Sequence, residues 1–76
     1  MVSGAMSIDD FNSIAGTSIP SEDFGTIGGF VFHLFGRLPV RGDGISFDGL
    51  SFLVRKVKGT RILSVRVTQE EGAGHE

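Results

Sequence analysis

Few residues in this chain combine the type and the spacing that a catalytic or metal site requires. His33 lies in the stretch TIGGFVFHLFGRLP, and neither Cys, Asp nor Glu stands four residues before or after it. A metal or catalytic histidine needs such partners, and the other histidine, His75, lies near the C-terminus. The pattern favours an exposed or interface histidine at position 33. No catalytic, metal-binding or cofactor-binding residue is predicted, and we expect the domain not to be an enzyme.

The carboxylates of the N-terminal half occur in adjacent pairs, Asp9-Asp10 and Glu22-Asp23. Adjacent residues on a helix point in different directions, so such a pair does not form the paired carboxylates of acid–base catalysis. We therefore assign the first pair to a helix start and the second to a loop.

The glycine-rich stretch at residues 41–44 invites three further interpretations. Its tripeptide RGD is read by adhesion receptors, but Gly42 and Asp43 are ordinary turn formers, and we interpret it as a turn. A GxGxxG nucleotide loop fails, because its sixth position is Phe47 and a strand follows. A calcium loop with Asp43 and Asp48 fails as well, because apolar residues occupy the positions of the oxygen ligands.

Charge is unevenly distributed along the 76 residues, whose net charge is −2. Residues 1–36 contain four carboxylates and no Lys or Arg, whereas residues 37–68 contain all seven basic residues. Such asymmetry can mark a binding face, but we favour the ordinary outward positions of a small sheet. Nucleic-acid binding is not expected, because the aromatic residues belong to the buried face and are not interleaved with the basic ones.

The pattern of apolar residues predicts two short helices followed by a meander of three strands. Ser7 caps a helix that ends at Gly16, and Thr26 caps a second helix that ends at Gly36. From Gly44 the period changes to two, with turns at Asp48-Gly49 and at Lys58-Gly59-Thr60-Arg61. The register of the first turn pairs Phe47 with Leu50 and Ile45 with Phe52, and in the third strand Leu63, Val65 and Val67 share a face.

The length allows one small domain, without cysteines to staple it and with seven phenylalanines to fill its core. We place this domain at residues 1–68 and expect the polar tail, residues 69–76, to lack order. No apolar run reaches the roughly 20 residues of a membrane span, and the N-terminus does not resemble a signal peptide. The sequence therefore predicts a soluble α+β domain, with both helices on one face of a small, mainly antiparallel sheet.

Two features of the second helix do not fit a plain core helix. Phe32 lies off the apolar stripe that Ile27 begins; we favour packing beneath the loop at residues 17–25 over exposure to a partner. Gly28-Gly29 costs helix stability, about 1 kcal/mol per glycine relative to alanine. Such a pair indicates close backbone approach at the helix start, to the sheet, to a loop or to a partner. Phe32 and His33 are the candidate interaction surface.

The run from Asp23 to Thr68 resembles the CorC/HlyC transporter-associated domain. Val2-Ser3-Gly4 resembles the end of that family's first strand, and Ile8-Asp9-Asp10-Phe11-Asn12 its first helix. The matching positions of the remaining pattern are Thr26, Ile27, Gly28, Gly29, Val31, Gly36, Arg37, Leu38, Pro39, Gly42, Asp43, Asp48, Gly49, Leu50, Phe52, Val54, Arg61, Ile62, Val65, Arg66 and Val67.

The resemblance implies a non-catalytic accessory domain that follows a pair of CBS domains. The parent proteins are membrane proteins associated with magnesium and cobalt efflux, or proteins labelled hemolysins. It further implies a short N-terminal strand, a fold like part of the PCMH-type FAD-binding domain, and a cytoplasmic location. The expected partners are the CBS and membrane domains of the parent or a second copy, without insertion of this segment into the membrane.

Departures from the family pattern weaken one alternative. A ligand-sensing module for a flavin, an adenine nucleotide or a divalent cation is the second hypothesis. Gly44 and Lys58 stand where the family commonly has acidic residues, and Ser64 replaces a common basic residue. The first two changes remove negative charge, so a cation site that depends on those acids is not expected here.

Overall fold

The computed structural model describes residues 1–69, which form two helices and four strands. In chain order the elements are β1 (Val2–Ser3), α1 (Ile8–Ala15), α2 (Ile27–Phe35), β2 (Gly44–Phe47), β3 (Leu50–Lys58) and β4 (Arg61–Gln69). The strands form one antiparallel sheet in the order β1-β4-β3-β2. This architecture confirms the α+β fold with a three-strand meander and a short N-terminal strand, while the likeness to a PCMH-type domain stays a prediction.

Each helix begins and ends at the residues that the sequence predicts. Ser7 accepts a 3.0 Å hydrogen bond from the amide three residues ahead, and Thr26 accepts a 3.2 Å bond in the same way. These side-chain oxygens satisfy amides that have no partner within the helix. Gly16 (φ 70°) and Gly36 (φ 74°) adopt the left-handed conformation that ends a helix.

The turn between β2 and β3 fixes the register of the sheet. Asp48-Gly49 has positive φ at both residues, 52° and 80°, as a two-residue hairpin of this kind requires. The register pairs Phe47 with Leu50 and Ile45 with Phe52, as predicted.

The prediction for the third strand of the meander is wrong at Leu63. The β3–β4 register is irregular between the pairs Val54–Val65 and Val57–Ile62. The two pairs are three residues apart on each strand, and in a regular strand residues three apart point to opposite faces. The irregularity interrupts this alternation between the two pairs. Ile62 is consequently buried in the core, 7% exposed, and Leu63 is only half-buried.

One apolar core joins both helices to one face of the sheet. Its buried members are Ile8, Phe11, Ile19, Ile27, Phe30, Val31, Leu50, Phe52, Val54, Ile62 and Val65. Ile19 belongs to the interhelical loop and is held there by Asn12, whose side-chain amide donates to its carbonyl (2.9 Å) and accepts from its amide (3.0 Å). The two helices can be short because this shared burial stabilises them.

Two further expectations concern the C-terminal tail and the length of the helices. Gln69, which the sequence assigns to the tail, is the last residue of β4, and the rest of the predicted tail lies outside the described residues. Within residues 1–69, neither helix has the length that crossing a membrane requires.

Candidate interaction groove beside Phe32

The first turn of α2 lies directly against the backbone of two other segments. The amide of Gly28 donates a 2.9 Å hydrogen bond to the carbonyl oxygen of Gly4, and the amide of Gly4 donates a 2.8 Å bond to that of Leu63. A Cβ atom on Gly28 would lie 2.9 Å from the Gly4 oxygen and 3.2 Å from the Ile62 oxygen. The close approach predicted from Gly28 is therefore to the segment after β1 and to the start of β4.

The two glycines of the pair differ in their surroundings. Gly29 is exposed, and a Cβ there would meet only the Thr26 hydroxyl oxygen, at 3.3 Å. On the opposite side of the junction, a Cβ on Gly4 would overlap the Ile62 carbonyl oxygen. The helix thus needs a glycine at position 28 for packing, whereas a side chain at position 29 requires only a small shift of the Thr26 hydroxyl.

A groove of about 460 Å³ opens over this junction, between α2 and the β1–β4 edge; we call it the Phe32 groove. Phe32 forms the wall on the helix side, and Thr60, Arg61 and Leu63 line the opposite side. The rest of the lining includes Gly4, Gly28 and Gly29. The lining combines an aromatic ring, an aliphatic side chain, a cation and a hydroxyl, and of these the aromatic and arginine side chains are enriched at protein interfaces.

Phe32 does not pack beneath the loop at residues 17–25, so that prediction is wrong. The loop aromatic, Phe24, instead contacts Phe30 edge to face at 6.0 Å and the His33 ring at 4.6 Å. Phe32 is 38% exposed, in contrast to Phe30 on the same helix, which is 3% exposed. Phe24 packs on the side of α2 that bears Phe30 and His33, and Phe32 lies about 200° around the helix from Phe30.

His33 is exposed, as the sequence predicts, and its ring lies against Phe24 with the ring planes inclined at 39°. Its neighbour Phe32 lines the groove, whereas His33 is absent from the lining. The structure therefore separates the two candidate residues, and only Phe32 belongs to the groove.

The RGD tripeptide is part of a turn, as we interpret it from the sequence. The Asp43 amide donates a 3.0 Å bond to the Val40 carbonyl, and Gly42 between them has φ 96°. The Asp43 carboxylate accepts from the Val40 amide at 3.0 Å and from Arg37 at 3.2 Å. The Val40 hydrogen bond lowers the pKa of Asp43, with Arg37 adding to the effect and partial burial opposing it.

The described part of the chain offers little to catalysis or metal binding. Within residues 1–69 no polar or charged side chain is buried. In the same range no group of three or more His, Cys, Asp or Glu side chains is placed to hold a metal ion. The groove is therefore the feature on which a function can be argued.

Sequence reasoning found one wall of the groove but missed the other. Thr60 and Arg61 were assigned to a hairpin turn, and Leu63 to the core face. The signal that could have pointed to them is the Gly28-Gly29 pair, which indicates a close backbone contact but not the segment that makes it. Only the tertiary structure identifies that neighbour as Gly4 and Ile62.

Known proteins share this sequence and fold. The model of the transporter associated domain, CorC_HlyC, matches residues 1–71. The chain is 46% identical over 61 residues to the magnesium and cobalt efflux protein CorC of Salmonella typhimurium. That alignment covers 80% of this chain and 21% of the relative, so the chain spans about a fifth of the length of the protein that it matches.

Solved structures agree with the sequence match. The CorC-associated region from Neisseria meningitidis superposes with a TM-score of 0.85 at 37% identity, covering 90% of this chain and 84% of that one. A hemolysin domain from Enterococcus faecalis gives a TM-score of 0.82 at 28% identity, with coverages of 90% and 83%. The expected family is thereby confirmed: this chain belongs to the CorC/HlyC transporter-associated domains.

Proposed function

We propose that this chain is a non-catalytic accessory domain of a larger protein associated with magnesium or cobalt transport, and that it acts through protein–protein contacts at the Phe32 groove. The CBS and membrane domains of such a parent are the first candidates for the partner, and a second copy of the chain is the next. The relative's efflux function and the partial length of the match support the placement in a larger protein.

The exposure of Phe32 is the observation that carries this proposal. Phe32 is 38% exposed at the wall of a groove, and aromatic side chains are enriched at protein interfaces. The groove walls are also held in place, because the Gly28–Gly4 and Gly4–Leu63 hydrogen bonds join α2 to β4 through the backbone. A preformed wall loses little conformational freedom when a partner binds.

One observation favours a second candidate, the ligand-sensing module. The groove volume of about 460 Å³ falls within the range of about 300–1,000 Å³ that is typical of small-molecule sites. However, the described residues provide no cluster of carboxylates or histidines for a divalent cation, and the groove contributes a single cationic side chain, Arg61, toward a phosphate. Protein contact remains the better supported of the two.

The test measures how strongly this chain binds the remainder of its parent protein, expressed separately. Phe32→Ser is expected to weaken that binding about 5- to 30-fold, corresponding to about 1–2 kcal/mol for the loss of an aromatic anchor. If the partner is a second copy, the same loss appears in the self-association constant from sedimentation equilibrium.

Ile14→Ser is the matched control. Ile14 is an exposed apolar residue (76%) on the other helix, outside the groove, and its replacement removes a similar surface and adds the same hydroxyl. The control is expected to bind like the unmodified chain. Equal binding by Phe32→Ser and the unmodified chain, in both assays, would sink the proposal.

A further inference from the structure

The end of the domain at the β3–β4 hairpin carries a concentration of positive charge. The residues that share it are Arg41, Arg55, Lys56, Lys58 and Arg61, which we call the basic end. Arg41, Arg55 and Lys56 line one open cleft, and Lys58 pairs directly with Arg61 across the hairpin. We infer that the basic end binds the surface of an anionic phospholipid membrane peripherally, without any segment spanning the bilayer.

The turn that presents Arg41 is braced by Asp43. The Asp43 carboxylate accepts the Val40 amide, and the Asp43 amide donates to the Val40 carbonyl. On the other side, Gly42 donates a 2.8 Å hydrogen bond to the Val54 carbonyl, and Val54 donates one of equal length to Asp43. Val40 and Arg41 are therefore held at the tip of a turn that is fastened to the edge of β3.

The irregularity in β3 adds two cations to the same surface. Arg55 and Lys56 are consecutive and both exposed, whereas a regular strand would direct one of two neighbours toward the core. β2 pairs with β3 only as far as Leu53, so among residues 1–69 no strand covers this part of the β3 edge. The bulge thus presents both side chains beside the turn that bears Arg41.

The described carboxylates leave these cations uncompensated. Within residues 1–69 the one ion pair joins Arg37 to Asp43, and neither residue belongs to the basic end. The cleft is lined by three basic residues and no acidic one, and residues 49–69 contain no Asp or Glu. The carboxylates at positions 9, 10, 22 and 23 belong to α1 and the interhelical loop. Positive and negative side chains are therefore segregated within the domain, and this asymmetry orients the domain in the field of an anionic surface.

The exposed Val40 favours a membrane surface over other anionic partners. Val40 is 63% exposed at the tip of the turn, next to Arg41, and Leu38 and Val57 form apolar lining in the same cleft. An apolar tip ringed by cations matches the chemistry of the lipid headgroup region, where basic side chains meet phosphates and an apolar side chain enters the interface. This inference does not rest on the proposed function, since it uses neither Phe32 nor a protein partner.

The test is co-sedimentation of the chain with vesicles of phosphatidylcholine, alone or mixed with phosphatidylglycerol. Binding is expected only with the mixed vesicles, and Arg55→Gln is expected to weaken it about fivefold, since each basic side chain near an anionic surface is worth about 1 kcal/mol. Arg55→Gln combined with Lys56→Gln is expected to weaken it about 25-fold on the same scale. Raising the salt from about 0.01 M to about 1 M shortens the Debye length from about 30 Å to about 3 Å and is expected to abolish most of the binding.

Ser13→Glu is the matched control, because it lowers the net charge by the same amount as Arg55→Gln but lies on the exposed face of α1. It is expected to bind like the unmodified chain. An equal loss in the control, or equal sedimentation with neutral and anionic vesicles, overturns the inference. So does full displacement from the vesicles by inorganic phosphate at constant ionic strength, which would assign the cleft to free phosphate. Loss of vesicle binding with intact Phe32-dependent association would leave the proposed function standing.

Discussion

The amide of Gly28 and the carbonyl oxygen of Gly4 are joined by a 2.9 Å hydrogen bond that fastens the first turn of α2 to the segment following β1. Because Gly4 is in turn bonded to Leu63, this contact connects the helix to β4 through three backbones without any intervening side chain. The same junction forms the base of the Phe32 groove. A side chain at either glycine would separate the segments that define the groove.

Gly28→Ala is expected to destabilise the domain although alanine is the better helix former. The added Cβ would lie 2.9 Å and 3.2 Å from two backbone oxygens, neither of which can rotate away. Overpacking of this kind costs about 1–3 kcal/mol, which exceeds the gain of about 1 kcal/mol in helix propensity. The free energy of unfolding from urea titration measures the difference.

Gly29→Ala is the matched control for that substitution, in the same turn of the same helix. Its Cβ would meet only the Thr26 hydroxyl oxygen, so the propensity gain of up to about 1 kcal/mol is expected to remain, reduced by any disturbance of the cap. If Gly28→Ala were as stable as Gly29→Ala, the tight backbone junction would not exist in solution.

Asp43 is expected to make stability depend on pH in the acid range. Its folded-state pKa is lowered, first by the Val40 amide and then by Arg37, so its contribution is fully present above the unfolded-state pKa of about 3.9. That contribution is lost as the pH falls through the lower, folded-state pKa. Asp43→Asn should therefore be less stable than the unmodified chain at neutral pH, and the difference should disappear in acid.

Arg37→Gln separates the two causes of this pKa shift. Because the Val40 hydrogen bond is the largest single cause, a pH-dependent difference is expected to survive the loss of Arg37. Urea midpoints measured across the acid range give the comparison. A pH profile of Arg37→Gln that matched Asp43→Asn would mean that the ion pair, rather than the turn, dominates.

Phe32→Ser is expected to change the stability of the isolated chain only modestly. Because Phe32 is already 38% exposed, we expect a loss of about 1–2 kcal/mol, at roughly 4–8 °C in Tm per kcal/mol for a domain of this size. Phe30→Ala, two residues away but 3% exposed, should cost about 3–5 kcal/mol. Thermal unfolding followed by circular dichroism compares them, and equal losses would place Phe32 in the core.

Ligand addition is expected to leave the melting temperature unchanged. A ligand present at 100 times its Kd would add roughly 2.7 kcal/mol to the stability of the domain. Thermal-shift curves with Mg²⁺, Co²⁺, Ca²⁺, FAD and ATP should therefore coincide with the curve of the chain alone. A reproducible rise with any of the five would favour the ligand-sensing module instead.

The sequence by itself determined those features that depend on neighbouring residues. Ser7 and Thr26 cap helices because their oxygens reach amides three residues ahead, and Asp48-Gly49 fixes a hairpin because both residues adopt positive φ. Since the side chains of a strand alternate, that turn also set which residues of β2 and β3 enter the core. The family pattern is built largely from such local requirements, which is why it could be recognised.

The tertiary structure alone decided what depends on residues far apart in the chain. Gly28 indicated a close backbone contact, but only the fold shows that the contact is with Gly4 and Ile62. The irregular pairing of β3 with β4 places Ile62, and not Leu63, in the core. The reason is that the side chains of a strand alternate between faces only while the register is regular. The loop aromatic Phe24 packs against Phe30 and His33, whereas Phe32, about 200° around the helix from Phe30, is left exposed because no described loop aromatic reaches that side.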